Sequence, residues 1–176
     1  MKSTSGRNLA IFASALLLSF NANASHYAAV NKDHCVRMQH TTKPFILVLN
    51  RGENIHESIN QCASDAKIKA ASLSGLGQLE NPTLAYFTSN PQEKPTLKKF
   101  EGFYELASFN GNITNNANKY YTHAHVGLAD NAFHGINGHL NSATVGLTAE
   151  ITIIPILGSV ERVVDPKTGF GQIITR

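Results

Sequence analysis

Helical spacing occurs once in this chain, and everything after residue 74 reads as extended strand. Ile55, Ile59, Cys62 and Ala66 fall on one stripe at the period of an α-helix over residues 55–66, with Asn54 placed to cap its first turn. Residues 68–73 predict a strand ending in a glycine-bearing turn, Ser74-Gly75-Leu76-Gly77. Residues 83–88 follow as a strand, Asn90-Pro91 opens a polar loop, and residues 97–109 form a long extended segment. Asn110-Gly111 carries a hairpin-turn signal, and residues 115–119 are a polar loop. Residues 121–128 and 133–141 make a further hairpin, with strands 144–155 and 160–164 before a late turn at 165–169. Ahead of the helix, residues 25–34 read as loose. Residues 35–51 read as one or two strands, with Phe45-Ile46-Leu47-Val48-Leu49 a fully buried run. One helix on a largely antiparallel sheet is an α+β fold, and residues 25–176 are of ordinary size for one domain.

The hairpin over 121–141 carries the chemistry. His123-Ala124-His125 is followed, fourteen residues after His125, by Gly138-His139-Leu140. Histidines at i and i+2 project from one face of a strand. With Asp130-Asn131-Ala132 as the loop, paired positions sum to 262, placing His139 opposite His123 and diagonal to His125. Three neutral nitrogen ligands with an open fourth position are the usual catalytic zinc site. His123, His125 and His139 are therefore the candidate metal ligands, and zinc the expected cofactor. A one-residue slip would turn His139 to the other face. His134 points away in this register and is left out.

Residues 1–24 read as a targeting segment. Lys2 and Arg7 form a positive start, residues 9–20 an apolar stretch too short to span a bilayer, and Ala22-Asn23-Ala24 a cleavage pattern before Ser25. A periplasmic or secreted location follows, with no membrane attachment after cleavage. Without that segment the charge is nearly balanced, 13 Lys and Arg against 12 Asp and Glu. No basic run exceeds Lys98-Lys99, so the phosphate-neutralising footprint of a nucleic-acid binder is missing. Cys35 and Cys62 allow one bridge in an oxidising compartment; two separate buried thiols are the alternative.

Taken in order, Arg51-Gly52-Glu53, the helix, Ser74-Gly75-Leu76-Gly77, the run from Tyr104 to Ile113, His123-Ala124-His125, Gly138-His139-Leu140 and Glu150-Ile151 resemble the plants-and-prokaryotes-conserved (PPC) domain over residues 45–156. The resemblance implies an antiparallel-sheet domain with one main helix, assembled as a homotrimer. It also implies zinc ligands at His123, His125 and His139, as in many bacterial members. The family's DNA-binding label comes from plant members with a basic AT-hook, and no Arg-Gly-Arg-Pro hook is present here. Bacterial relatives usually have two glycines where this chain has Asn137-Gly138, and Asn137 is expected opposite His125. The architecture also looks similar to that of acetolactate decarboxylase, which directs attention to a carboxylate and a cation near the metal.

Glu105, amid Phe103, Leu106 and Phe109, is the candidate catalytic acid/base, since apolar surroundings raise a carboxyl pKa; a structural glutamate at a trimer seam is the alternative. Glu150 reads either as a partner orienting a histidine or as a solvent-facing strand residue. Arg51 and Glu53 read as a surface pair, Asn112 as a turn residue, and Tyr86, Tyr104, Tyr120 and Tyr121 as half-buried strand tyrosines. No Gly-x-Ser-x-Gly elbow or His-Glu-x-x-His helix is present. The expected function is zinc-dependent binding or transformation of a small molecule. An enzyme of this kind would be a lyase or hydrolase acting on a carbonyl or ester. The alternative is a non-catalytic trimeric binding or structural domain.

Overall fold

The computed structural model describes residues 29–90, 92–116, 119–166 and 171–174. The targeting segment read over 1–24 and most of the late turn lie outside them. In chain order, β1 (Ala29–Val30) and a 3-10 helix (Lys32–Met38) lead to β2 (Phe45–Asn50) and α1 (Ile55–Asp65). There follow β3 (Ala71–Tyr86), β4 (Thr96–Lys99), β5 (Phe103–Asn116), β6 (Lys119–Ala129) and β7 (Gly135–Pro155). The short strands β8 (Arg162–Val164) and β9 (Gly171–Ile173) pair with each other. The α+β reading holds: a mostly antiparallel sheet with one main helix.

The sheet runs β1-β2-β7-β6-β5-β3-β4, and β3 also pairs with β7. Strands β3, β5, β6 and β7 therefore close on themselves, which removes free edges from the part of the sheet that holds the histidines. β7 makes this closure by its length. Its start pairs with β6, its span from His139 to Pro155 with β3, and Thr148 to Ile153 with β2. One cluster fills the interior, with Leu79, Leu106, Phe109, Leu128, Leu140, Val145 and Ile151 all buried. α1 and its C-cap add Ile55, Ile59, Cys62 and Ala66, the stripe its spacing predicts, together with Ala63. Asn54 caps it as expected, its side chain accepting the Glu57 N–H at 3.1 Å.

Several local expectations change. Residues 29–38 are structured: Ala29 and Val30 pair in parallel with Ile46 and Leu47, and Cys35 is disulfide-bonded to Cys62 of α1, Cα to Cα 5.1 Å. The 45–49 run alternates between buried and accessible residues, because β2 has only one face on the core. Ser74-Gly75-Leu76-Gly77 is no turn but the interior of β3. Gly77 has φ +146°, and a Cβ there would strike the Thr148 carbonyl oxygen, so glycine lets β3 approach β7. Asn110-Gly111 is likewise interior to β5, where a Cβ on Gly111 would strike the carbonyl oxygen of His123. Both glycines serve close strand approach, which local sequence does not distinguish from turning.

Candidate metal centre

β6 alternates cleanly. Thr122, Ala124, Val126 and Leu128 are buried, leaving Tyr121, His123 and His125 on the other face. Its partner β7 places His139 directly opposite His125, not His123, and the paired positions sum to 264. The hairpin loop is longer than expected, running from Asp130 to His134. The Asp130 carboxylate accepts the N–H groups of Ala132 and His134, each at 2.9 Å, and Phe133 takes φ +64°. The two extra residues shift the register by an even number, so His139 stays on the face of His123 and His125. Asn137 consequently lies opposite Gly127 and diagonal to His125, not directly opposite it. His134 belongs to the loop and is exposed, its Nδ1 3.1 Å from Asp130 Oδ2.

The three rings converge. One ligand atom from each of His123, His125 and His139 lies within 4.8 Å of the others. Ring centroids are 5.4 Å apart for His123–His125, 5.0 Å for His123–His139 and 5.3 Å for His125–His139. Phe87 meets His139 edge-on at 5.2 Å, and the Tyr121 ring is 6.5 Å from His123. His125 is exposed, while the other two are half-buried. A ligand could thus reach the cluster from solvent.

Two further residues enter the site. Arg162 of β8 approaches His123 Nδ1 with Nη2 at 3.2 Å, and the same Nη2 donates to Asn112 Oδ1 at 2.9 Å. Its Nη1 donates to the Gly171 carbonyl at 2.9 Å, and its guanidinium lies 5.5 Å from the Tyr121 ring centroid. His56 lies in the first turn of α1, one turn before Asn60, which accepts a 2.8 Å hydrogen bond from Thr122. Its Nδ1 is buried and has no hydrogen-bond partner among the described residues.

Electrostatics favour the neutral form of His123 and His139. Burial, then Arg162 and the neighbouring histidines, pulls the pKa of His123 down to about 4. Burial and His125 lower that of His139 as well. Burial, with His139 adding to it, pulls His56 down to about 4. Neutral imidazoles are the form that ligates a metal. Three nitrogen donors without a carboxylate among them fit zinc or a metal of similar borderline character.

The remaining candidates stand elsewhere. Glu105 is exposed, not set in apolar surroundings. It pairs across the sheet with Gln78, whose Nε2 donates to it at 3.1 Å, and with Ala129. At about 3.3 Å per residue, the four steps from His125 to Ala129 put it roughly 13 Å along the sheet from the histidines. Glu150 is exposed opposite Val48 and Leu76. Glu53 is paired with Lys32 at 3.1 Å, not with Arg51, whose guanidinium stacks on Phe103 at 5.6 Å. Asn112 is a strand residue opposite His123 that anchors Arg162. Of Tyr86, Tyr104, Tyr120 and Tyr121, it is Tyr121 that stands beside the site. Sequence reasoning missed Arg162 and His56. Nothing in the local spacing of either marks it, since each arrives through tertiary pairing.

Comparisons with known proteins agree with this architecture. A metal-containing protein of Archaeoglobus fulgidus is 28% identical, with TM-score 0.69, covering 76% of this chain and 94% of its own. A candidate DNA-binding protein of Ralstonia eutropha JMP134 is 28% identical with TM-score 0.69, over 78% of this chain and 94% of its own. A plant- and prokaryote-conserved (PPC) protein of Pyrococcus horikoshii is 26% identical with TM-score 0.69, over 76% and 92%. No protein of curated function gives a match. The model of the Plants and Prokaryotes Conserved (PCC) domain matches residues 36–157, and the chain belongs to that family.

Proposed function

We propose that this chain is an exported PCC-domain protein that binds zinc through His123, His125 and His139 and uses the metal's open position to bind or transform a small molecule. The observation that carries the reading is the convergence of three imidazoles on one accessible sheet face. The description of the Archaeoglobus relative as metal-containing supports it. Zinc held there would activate a water or polarise a carbonyl. The chain's own residues supply a cation, Arg162, and two aromatic rings, Phe87 and Tyr121, around the opening. Within one chain Glu105 is too distant to exchange a proton with a ligand there, so an acid/base role for it requires a neighbouring copy.

Assembly as a homotrimer is part of the proposal. Leu76, Phe103 and Leu147 stand exposed on strands β3, β5 and β7, more apolar surface than separate solvated strands need. The Cys35–Cys62 bridge supports passage through an oxidising compartment. The near balance of charge argues against duplex DNA as the partner, although the Ralstonia relative carries that description.

Metal analysis of the purified protein beside His123→Ala and His139→Ala tests the reading. About one zinc per chain, lost in both variants, is the expected result. Absence of metal in the parent after incubation with zinc would refute it.

A further inference from the structure

Arg162 stands where it bears directly on the metal. A guanidinium has only donors, so at 3.2 Å from Nη2 the Nδ1 of His123 must be the acceptor, using its lone pair. A neutral imidazole has one lone pair and one N–H. With Nδ1 accepting, Nε2 carries the proton, and neither nitrogen of His123 is open to a metal. If the metal takes Nδ1, it takes the pair that Arg162 now holds. If the metal takes Nε2, the proton moves to Nδ1 and two N–H groups face each other across 3.2 Å. In both cases the contact between Arg162 and His123 must break.

We propose, resting on the zinc reading above, that Arg162 is a cationic plug: its guanidinium and the metal are mutually exclusive partners of His123. The plug is built in, because Asn112 Oδ1 and the Gly171 carbonyl hold the same guanidinium at 2.9 Å each. Asn112 is itself fixed opposite His123 in the β5–β6 ladder, so the guanidinium and the ring share one support. Loading the metal therefore parts Arg162 from His123 and leaves Asn112 and Gly171 as its partners. Arg162 then sets how tightly the site binds its metal.

The test is zinc affinity of the full protein and of Arg162→Met, measured by competition with a chromogenic chelator, with circular dichroism confirming the fold. Removing a charge-assisted hydrogen bond that competes with the metal should tighten zinc binding about tenfold or more. Equal or weaker binding by a folded Arg162→Met would overturn the plug while leaving the zinc site intact. Should that variant not fold, nitrogen NMR of the parent decides. Zinc should shift the His123 ring nitrogens and end the coupling between Arg162 Nη2 and Nδ1, and a contact that survives zinc saturation would overturn the proposal. Zinc binding by Arg162→Met alone would uphold the plug and refute the parent as a zinc protein.

Discussion

Acid should destabilise this protein through His56, and the size of the effect follows from the structure. Its pKa is held at about 4, chiefly by burial, against an ordinary value of 6.5 in the unfolded chain. A folded-state pKa below the unfolded one means that the unfolded state binds more protons in between. The stability from this group is complete above pH 6.5, falls as the pH drops, and levels off below about pH 4. At pH 5 the unfolded imidazole is almost wholly charged and the folded one almost wholly neutral, a penalty of about 2 kcal/mol; at pH 7 it is about 0.2 kcal/mol. Replacing His56 by leucine removes the proton and the unpartnered Nδ1 together. Urea unfolding at pH 7 and pH 5, with chelator present and protein concentration fixed, reads the difference. Between the two pH values the parent should lose about 2 kcal/mol more than His56→Leu, a difference of about 1 M urea in midpoint. His123 pushes in the same direction in both proteins, and His56 is the smallest cause of its shift, so most of its contribution cancels in the comparison. Identical pH dependence in the two proteins would refute the reasoning.

Two further outcomes follow from packing and covalent structure. Gly111→Ala forces a methyl group onto the His123 carbonyl oxygen, and should cost about 1–3 kcal/mol in thermal or urea unfolding while lowering zinc occupancy. A stable Gly111→Ala with full occupancy would mean that β5 and β6 can separate there without disturbing the histidines. Reducing the Cys35–Cys62 bridge, which spans 27 residues, should cost about 3–4 kcal/mol on the loop-entropy account. That corresponds to a melting point about 10 °C lower, checked by differential scanning fluorimetry with and without reductant.

Parity explains why the site was legible from sequence even though the register was not. The face that a strand residue occupies depends only on whether its offset is odd or even, and the hydrophobic alternation of β6 fixes that without knowledge of the partner. Buried Ala124 and Val126 oblige His123 and His125 to look the other way. The same holds in β7, where buried Leu140 keeps His139 off the core face. The exact pairing depended on how Asp130 folds its loop, a matter of two side-chain hydrogen bonds that no periodicity records. The error of two positions therefore moved His139 from one histidine to the next and left the cluster intact.

Non-local pairing hid the rest. Gly77 and Gly111 look like turns because glycine is read locally as conformational freedom. In the fold both permit two backbones to meet, at residues some 70 and 12 positions away. Arg162 is the sharper case. It lies 39 residues beyond His123 in a short strand whose composition carries no signal, yet Asn112, Gly171 and His123 converge on its guanidinium. Three imidazoles alone would read as a site waiting for its metal. With Arg162 in place they read as a site whose first ligand is already occupied by a cation of the protein itself. On the proposed plug, metal binding here would be an exchange, whose free energy is the difference between the metal and Arg162 as partners of His123.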